Sequence, residues 1–175
     1  AYEAGQRQFG ENYIQEGVSK IEQLKTLTDI EWHMIGPIQS NKTKLVAEHF
    51  DWVQSVDRLK IAKRLNEQRP ADMPPLNVCI QLNLEQEATK SGILPAELPD
   101  IVEAISGMPN LRLRGLMAIP AANVSESQQR DTLSQLHALY AQLQATTEGI
   151  DTLSVGMSND MALAIAHGST MVRIG

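Results

Sequence analysis

The chain has 175 residues, 42% of them hydrophobic and 21% charged, the make-up of one ordinary globular domain. Fifteen Lys and Arg stand against 21 Asp and Glu, a formal charge of −6 with no basic stripe, so the chain carries no electrostatic footprint for DNA or RNA. The single cysteine, Cys79, excludes an internal disulfide framework and a multi-cysteine zinc site, and no apolar run approaches the ~20 residues of a membrane span.

In chain order, short β-rich runs alternate with longer runs of helical period. A strand is predicted at Arg7 to Gly10, then a helix over Ile14 to Leu27 with Val18, Ile21 and Leu24 on one face. Strands follow at Ile30 to Gly36 and Trp52 to Val56. Asp57 is then placed to cap a helix over Arg58 to Gln68. The clearest strand is Leu76 to Leu84. The next helix, Pro95 to Ile105, carries Leu98-Pro99, the mark of a break or an early start. A strand at Leu111 to Ile119 leads to a helix over Ser127 to Leu143, whose Leu133, Leu136, Leu139, Tyr140 and Leu143 face inward. The last predicted strands are Thr152 to Gly156 and Met171 to Gly175. Loops at Pro70 to Pro75, Gly107 to Asn110 and Pro120 to Ser125 are too short to link domains.

Seven strands and six intervening helices predict a parallel α/β sheet in a single domain spanning residues 1–175. Strand starts fall roughly 20–40 residues apart, the pitch of a (β/α)8 TIM barrel of about 250 residues. The count fits such a barrel lacking its first strand. The competing architecture is a doubly wound open sheet, but no Gly-x-Gly-x-x-Gly turn occurs. The chain opens at Ala1 without an initiator Met and closes on the apolar run Met171-Val172-Arg173-Ile174-Gly175. The expectation is therefore an interior piece of a longer protein, truncated at both ends.

Barrel chemistry gathers at the C-terminal ends of strands. Those positions hold Glu11 and Asn12, His33 and Gly36, Ser55 and Asp57, Asn83, Met117, Gly156 to Asp160, and Arg173. In Ser154-Val155-Gly156-Met157-Ser158-Asn159-Asp160 a strand runs into a helix through Gly and Ser. Free N–H groups, a small residue and a hydroxyl can bind a phosphate there, or the segment can be a simple helix cap. His33, alone on a strand, reads as a structural residue more readily than as a ligand, and His49, His137 and His167 show no metal spacing. Cys79 alternates with apolar neighbours as a small core residue does. Arg173, inside an apolar strand, requires a ligand or a carboxylate as partner.

Five motifs occur in order: Phe9-Gly10-Glu11-Asn12-Tyr13, Trp32 through Lys42 (WHMIGPIQSNK), Arg114 through Ile119 (RGLMAI), Ser154 through Asp160 (SVGMSND) and Met171 through Gly175 (MVRIG). Together, across essentially the whole chain, they resemble the pyridoxal 5′-phosphate homeostasis family, also called the proline-synthetase co-transcribed or YggS-like family. The resemblance implies an alanine racemase N-terminal type barrel (fold type III) that holds pyridoxal 5′-phosphate (PLP) on a lysine. It also implies a carrier or buffer of PLP without established turnover, with apo-PLP enzymes as recipients, in a bacterial cytoplasm. Composition adds no nucleic acid and no membrane, and a closed, acidic, single-domain barrel fits a monomer. The alternatives are a PLP-dependent amino-acid racemase, and a phosphate-binding barrel enzyme using Glu11 and His33 as base and acid.

Carried over by position, the resemblance places Ser154, Gly156, Met157, Ser158 and Gly175 around the phosphate and Arg173 at the pyridine nitrogen. It places Asn12, His33 and Met117 along the ring, with Lys42 and Lys90 as secondary contacts. The family's Schiff-base lysine belongs to a first strand that would precede Ala1. The lysines present, Lys20, Lys25, Lys42, Lys44, Lys60, Lys63 and Lys90, end no predicted strand. The Thr that follows Arg-Ile-Gly in the family is also absent.

Overall fold

A parallel sheet is covered on both faces, so its strands must read as nearly unbroken apolar runs. In the computed structural model, which describes residues 1–88 and 90–175, six segments form such a sheet, with β3 and β4 the most nearly unbroken runs. The strands are β1 (Gln8–Glu11), β2 (Glu31–Met34), β3 (Trp52–Val56), β4 (Leu76–Leu82), β5 (Leu111–Ala118) and β6 (Thr152–Ser154). The helices are α1 (Ile14–Gln23), α2 (Thr43–His49), α3 (Leu59–Gln68), α4 (Leu98–Ser106), α5 (Glu126–Thr146) and α6 (Met161–Ala166). All neighbouring pairs are parallel and the spatial order is β1-β2-β3-β4-β5-β6. A doubly wound sheet reverses its strand order at a switch point. An unreversed sequential order is that of a partial (β/α) barrel.

The seventh predicted strand does not form a ladder. Met171 makes one bridge to Ser154. Beyond it, Gly156 takes φ +109° and Arg173 donates its amide to the Gly156 carbonyl at 2.9 Å. The turn at Gly156 thus diverts the chain after only three residues of β6, leaving residues 172–175 against a loop. Asp57 does not cap α3: the cap position falls on Arg58, with no side-chain hydrogen bond. Helix α1 stops at Gln23, four residues short of the expected Leu27. Leu98-Pro99 proves an early start, since Pro99 occupies the first turn of α4, where a missing N–H costs nothing. Ser125 begins α5 with a capping box, accepting from the Gln128 amide while the Gln128 side chain accepts from the Ser125 amide.

The two faces of the sheet differ. The helix side is one continuous apolar core in which Met34, Val53, Leu65, Leu116 and Leu153 are fully buried or nearly so. Leu133, Leu136, Tyr140 and Leu143 of α5 join it as expected, with Leu139 only partly buried. The inner face holds a separate small apolar cluster, Trp52, Cys79 and Met117, amid buried polar side chains. Glycine sets one critical approach: a Cβ on Gly115 would stand 1.6 Å from the Thr152 carbonyl oxygen, so β5 and β6 could not close with a larger residue there.

Candidate cofactor site

Strand alternation sends His33, Gln54 and Ser154 to the inner face, from β2, β3 and β6. His33 and Gln54 are each 2% exposed and Ser154 is fully buried, so their polar atoms require partners. They supply one another. Arg173 Nη1 donates to Ser154 Oγ at 2.6 Å, and Ser154 Oγ donates to Gln54 Oε1 at 2.5 Å. Gln54 Nε2 meets His33 Nδ1 at 2.9 Å, and His33 Nε2 meets Glu31 Oε1 at 2.7 Å.

The direction of this chain follows from its ends. A guanidinium only donates, so the Ser154 hydroxyl hydrogen must go to the Gln54 carbonyl oxygen. That leaves the Gln54 amide N–H for His33 Nδ1, and puts the imidazole proton on Nε2, facing the Glu31 carboxylate. The bond from His33 holds the Glu31 carboxyl below its usual range, against an opposing push from burial. His33 also stacks on Trp52, with ring centroids 4.9 Å apart and planes 15° apart, and Arg114 lies 4.6 Å over the same indole.

Among the described residues Arg173 meets no carboxylate, contrary to one branch of the sequence expectation. Its second donor goes to the Ala118 carbonyl at 2.9 Å, so β5, β6 and the terminal segment converge on one cation. Burial draws this guanidinium below its ordinary value, and the field of Asp160 opposes that.

The loop after β6 is the second half of the site. Gly156 is held in a conformation that L side chains rarely adopt, and a Cβ there would lie 2.8 Å from the Ala164 Cβ. Met157 and Ser158 are exposed at the turn, as is Gly175 opposite. Among the described residues, the amides of Ser158, Asn159 and Gly175 donate to nothing within the chain. The Met157 amide is taken by Asp160 Oδ1 at 2.6 Å. Small residues and unspent N–H groups thus lie on the turn after β6 and at Gly175, and the two segments are tied by the Arg173 amide on the Gly156 carbonyl.

Met117 is fully buried beside Trp52 and Cys79 on the inner face. Asn12 stands apart, on the wall of a cavity of about 720 Å³ over the mouth ends of β1 to β3, which Lys42 and Arg58 also line. Lys90 pairs with Glu87 at 3.5 Å and Glu85 at 3.9 Å. No lysine ends a strand: the seven lie on helices, turns and loops. Burial pushes the Cys79 thiol up to about 12, so it stays a protonated core group. Among the described residues no group of His, Cys, Asp and Glu could hold a metal ion.

Glu11 and His33 cannot form an acid–base pair. Glu11 bonds Lys20 of α1 at 3.0 Å on the helix side of the sheet, while both His33 nitrogens are engaged on the inner face. Sequence reading missed Gln54 and Glu31. The available signal was polarity at alternate positions of otherwise apolar strands.

Residues 1–175 match the family model described as "Alanine racemase, N-terminal domain". Curated relatives named pyridoxal phosphate homeostasis protein are 58% identical in Escherichia coli (strain K12) and 55% identical in Pseudomonas aeruginosa, each match covering the whole chain and 76% and 74% of the relative. The chain belongs to the pyridoxal phosphate homeostasis protein family. The structure of PipY from Synechococcus elongatus PCC7942 with PLP bound aligns with a TM-score of 0.90 at 36% identity, covering 100% of this chain and 82% of that one. An alanine racemase from Clostridium difficile 630 aligns at 0.77 with 16% identity, over 99% of this chain and 45% of that one, which shows a shared fold. The doubly wound alternative is thereby closed, and the homeostasis family's barrel type matches the expectation. No helix of the described residues is long and apolar enough to cross a membrane.

Proposed function

We propose that this protein binds PLP and serves in its homeostasis as a holder of the cofactor rather than a catalyst of its chemistry. The observation that carries the reading is the link of Arg173 to both Ser154 and the Gly156 carbonyl, which brings a cation beside a turn with unspent amides. The residues present fit the group. The turn offers unspent amides and a glycine-only backbone to a phosphate. Asn83 Oδ1, at the mouth end of β4, is buried with no hydrogen-bond partner among the described residues and awaits a donor.

In this reading Ser158, Asn159 and Gly175 donate backbone N–H groups to the phosphate, with Gly156 and Met157 shaping the turn around it. Ser154 acts one step back, fixing Arg173 through its hydroxyl. Arg173 directs its remaining donors to the ring nitrogen. PLP supplies an electrophilic aldehyde and an electron-withdrawing ring when bound, and a cation at the ring nitrogen keeps that atom unprotonated and weakens the electron sink. His33, with both nitrogens engaged, is held away from proton transfer to a ligand. Met117, buried with Trp52 and Cys79, would line the ring, and Asn12 borders the mouth. A family whose members are named for homeostasis, and PLP bound in the PipY structure, support the same conclusion.

The test is equilibrium titration of the intact protein with PLP, followed by visible absorption. Gly156→Ala should weaken binding at least tenfold, about 1.4 kcal/mol, by closing the turn onto Ala164. Unchanged affinity in a folded Gly156→Ala protein would remove the phosphate cradle from the argument. Turnover of an amino acid by the PLP-loaded wild type would defeat the holder reading.

A further inference from the structure

The inner-face hydrogen bonds run in one direction over four links, from the cation Arg173 to the anion Glu31. Only one side chain in this series can be turned without leaving its place: Gln54, whose amide can present O or N to either neighbour. Turning it would aim N–H at Ser154. The hydroxyl would then have to accept from Gln54 while still accepting from Arg173, its own hydrogen left without a partner in a fully buried site. The other neighbour would meet a carbonyl oxygen, which demands a proton on His33 Nδ1. Gln54 therefore links the tautomer of His33 to the seat of Arg173.

We propose that Gln54 is a positioning residue of the cofactor site: it fixes His33 as the neutral Nε2–H tautomer and, through Ser154, holds the Arg173 guanidinium at the ring position. The second half of this statement rests on the PLP reading above; the first half stands on the hydrogen bonds alone. Arg173 reaches Ala118 with its other nitrogen, so the link through Ser154 fixes its rotation rather than its presence. Gln54 also lies 3.2 Å from Met171 Sδ, which ties it to the segment that carries Arg173.

Long-range proton–nitrogen NMR of the histidines tests the first half on the wild-type protein without PLP. The expected spectrum shows His33 neutral and protonated at Nε2. A neutral Nδ1–H form or an imidazolium at neutral pH would overturn the proposal. Gln54→Glu keeps the acceptor for Ser154 and, as a carboxylate, cannot donate to Nδ1, so its His33 should gain a proton on Nδ1. Persistence of the wild-type tautomer in a folded Gln54→Glu protein whose introduced carboxyl is ionised by its carbon-13 shift would also overturn it.

For the second half, the visible absorption band of bound PLP is compared in wild type, Gln54→Glu and Gln54→Leu. Gln54→Leu, which removes the acceptor for Ser154, should shift the band and weaken PLP binding about tenfold, while Gln54→Glu, which keeps it, should stay closer to the wild type. An unmoved band with wild-type affinity in folded Gln54→Leu would reject the positioning role. Failure of the wild type to bind PLP would sink the functional reading, and the tautomer result would still decide the relay.

Discussion

The two faces of the sheet obey different rules. The outer face buries Met34, Val53, Leu116 and Leu153 under helices, and its stability grows with the apolar area removed from water. The inner face buries Glu31, His33, Gln54, Ser154 and Arg173 in whole or in part, and its order depends on every donor finding an acceptor. On the outer face a side chain is exchangeable for another of similar volume. On the inner face shape is not enough, since one lost donor reorients its neighbours. The site belongs to the face whose geometry is the more constrained.

Substitutions at matched depth can break that comparison. Leu116→Ala, fully buried on the outer face, should cost about 3–4 kcal/mol in urea denaturation with an unchanged slope. Leu116→Met, which conserves volume, should cost less than about 1.5 kcal/mol. Gln54→Leu also roughly conserves volume, yet should cost about 1–3 kcal/mol because it leaves the hydrogen of the Ser154 hydroxyl and His33 Nδ1 without partners. If Gln54→Leu were as mild as Leu116→Met, the distinction between the faces would fail. A cap on neither face calibrates the scale: Ser125→Ala should remove about 1 kcal/mol from α5.

This division also explains what could be read from the sequence. The outer face was legible because its residues follow the period of 2 in strands and 3.6 in helices, as Leu76 to Leu82 and Leu133 to Leu143 do. The Arg-Ile-Gly and Gly-Met-Ser motifs marked the two segments that the Arg173 amide joins to the Gly156 carbonyl. Gln54 offered only its polarity within an apolar strand, because its role depends on Ser154, 100 residues away in sequence. Of the two partners expected for Arg173, a ligand or a carboxylate, no carboxylate meets it among the described residues, and a hydroxyl and a carbonyl take two of its donors instead. The seventh strand failed because its apolar pattern says nothing of a neighbour that ends after three residues.

The smallest effect should appear at the acidic end of the relay. In the folded state the hydrogen bond from His33 holds the Glu31 carboxyl below its ordinary value of about 4.3. A lowered folded-state value means that the unfolded chain takes up the proton first. Glu31 therefore contributes stability above its unfolded value and loses it as the pH falls through the folded one. Asp51, which accepts from the Trp32 amide, is shifted the other way by burial. Its contribution is present at low pH and fades as the pH rises, so the two partly cancel in the wild type. Because the Glu31 side chain is 38% exposed, solvent screening limits its share to a few tenths of a kcal/mol, up to about 1. Urea midpoints measured from pH 6 down to pH 3 should fall for the wild type and fall less for Glu31→Gln. Parallel curves for the two proteins would mean that Glu31 does not anchor the relay in its charged form, and the inner face would then owe its order to neutral hydrogen bonds alone.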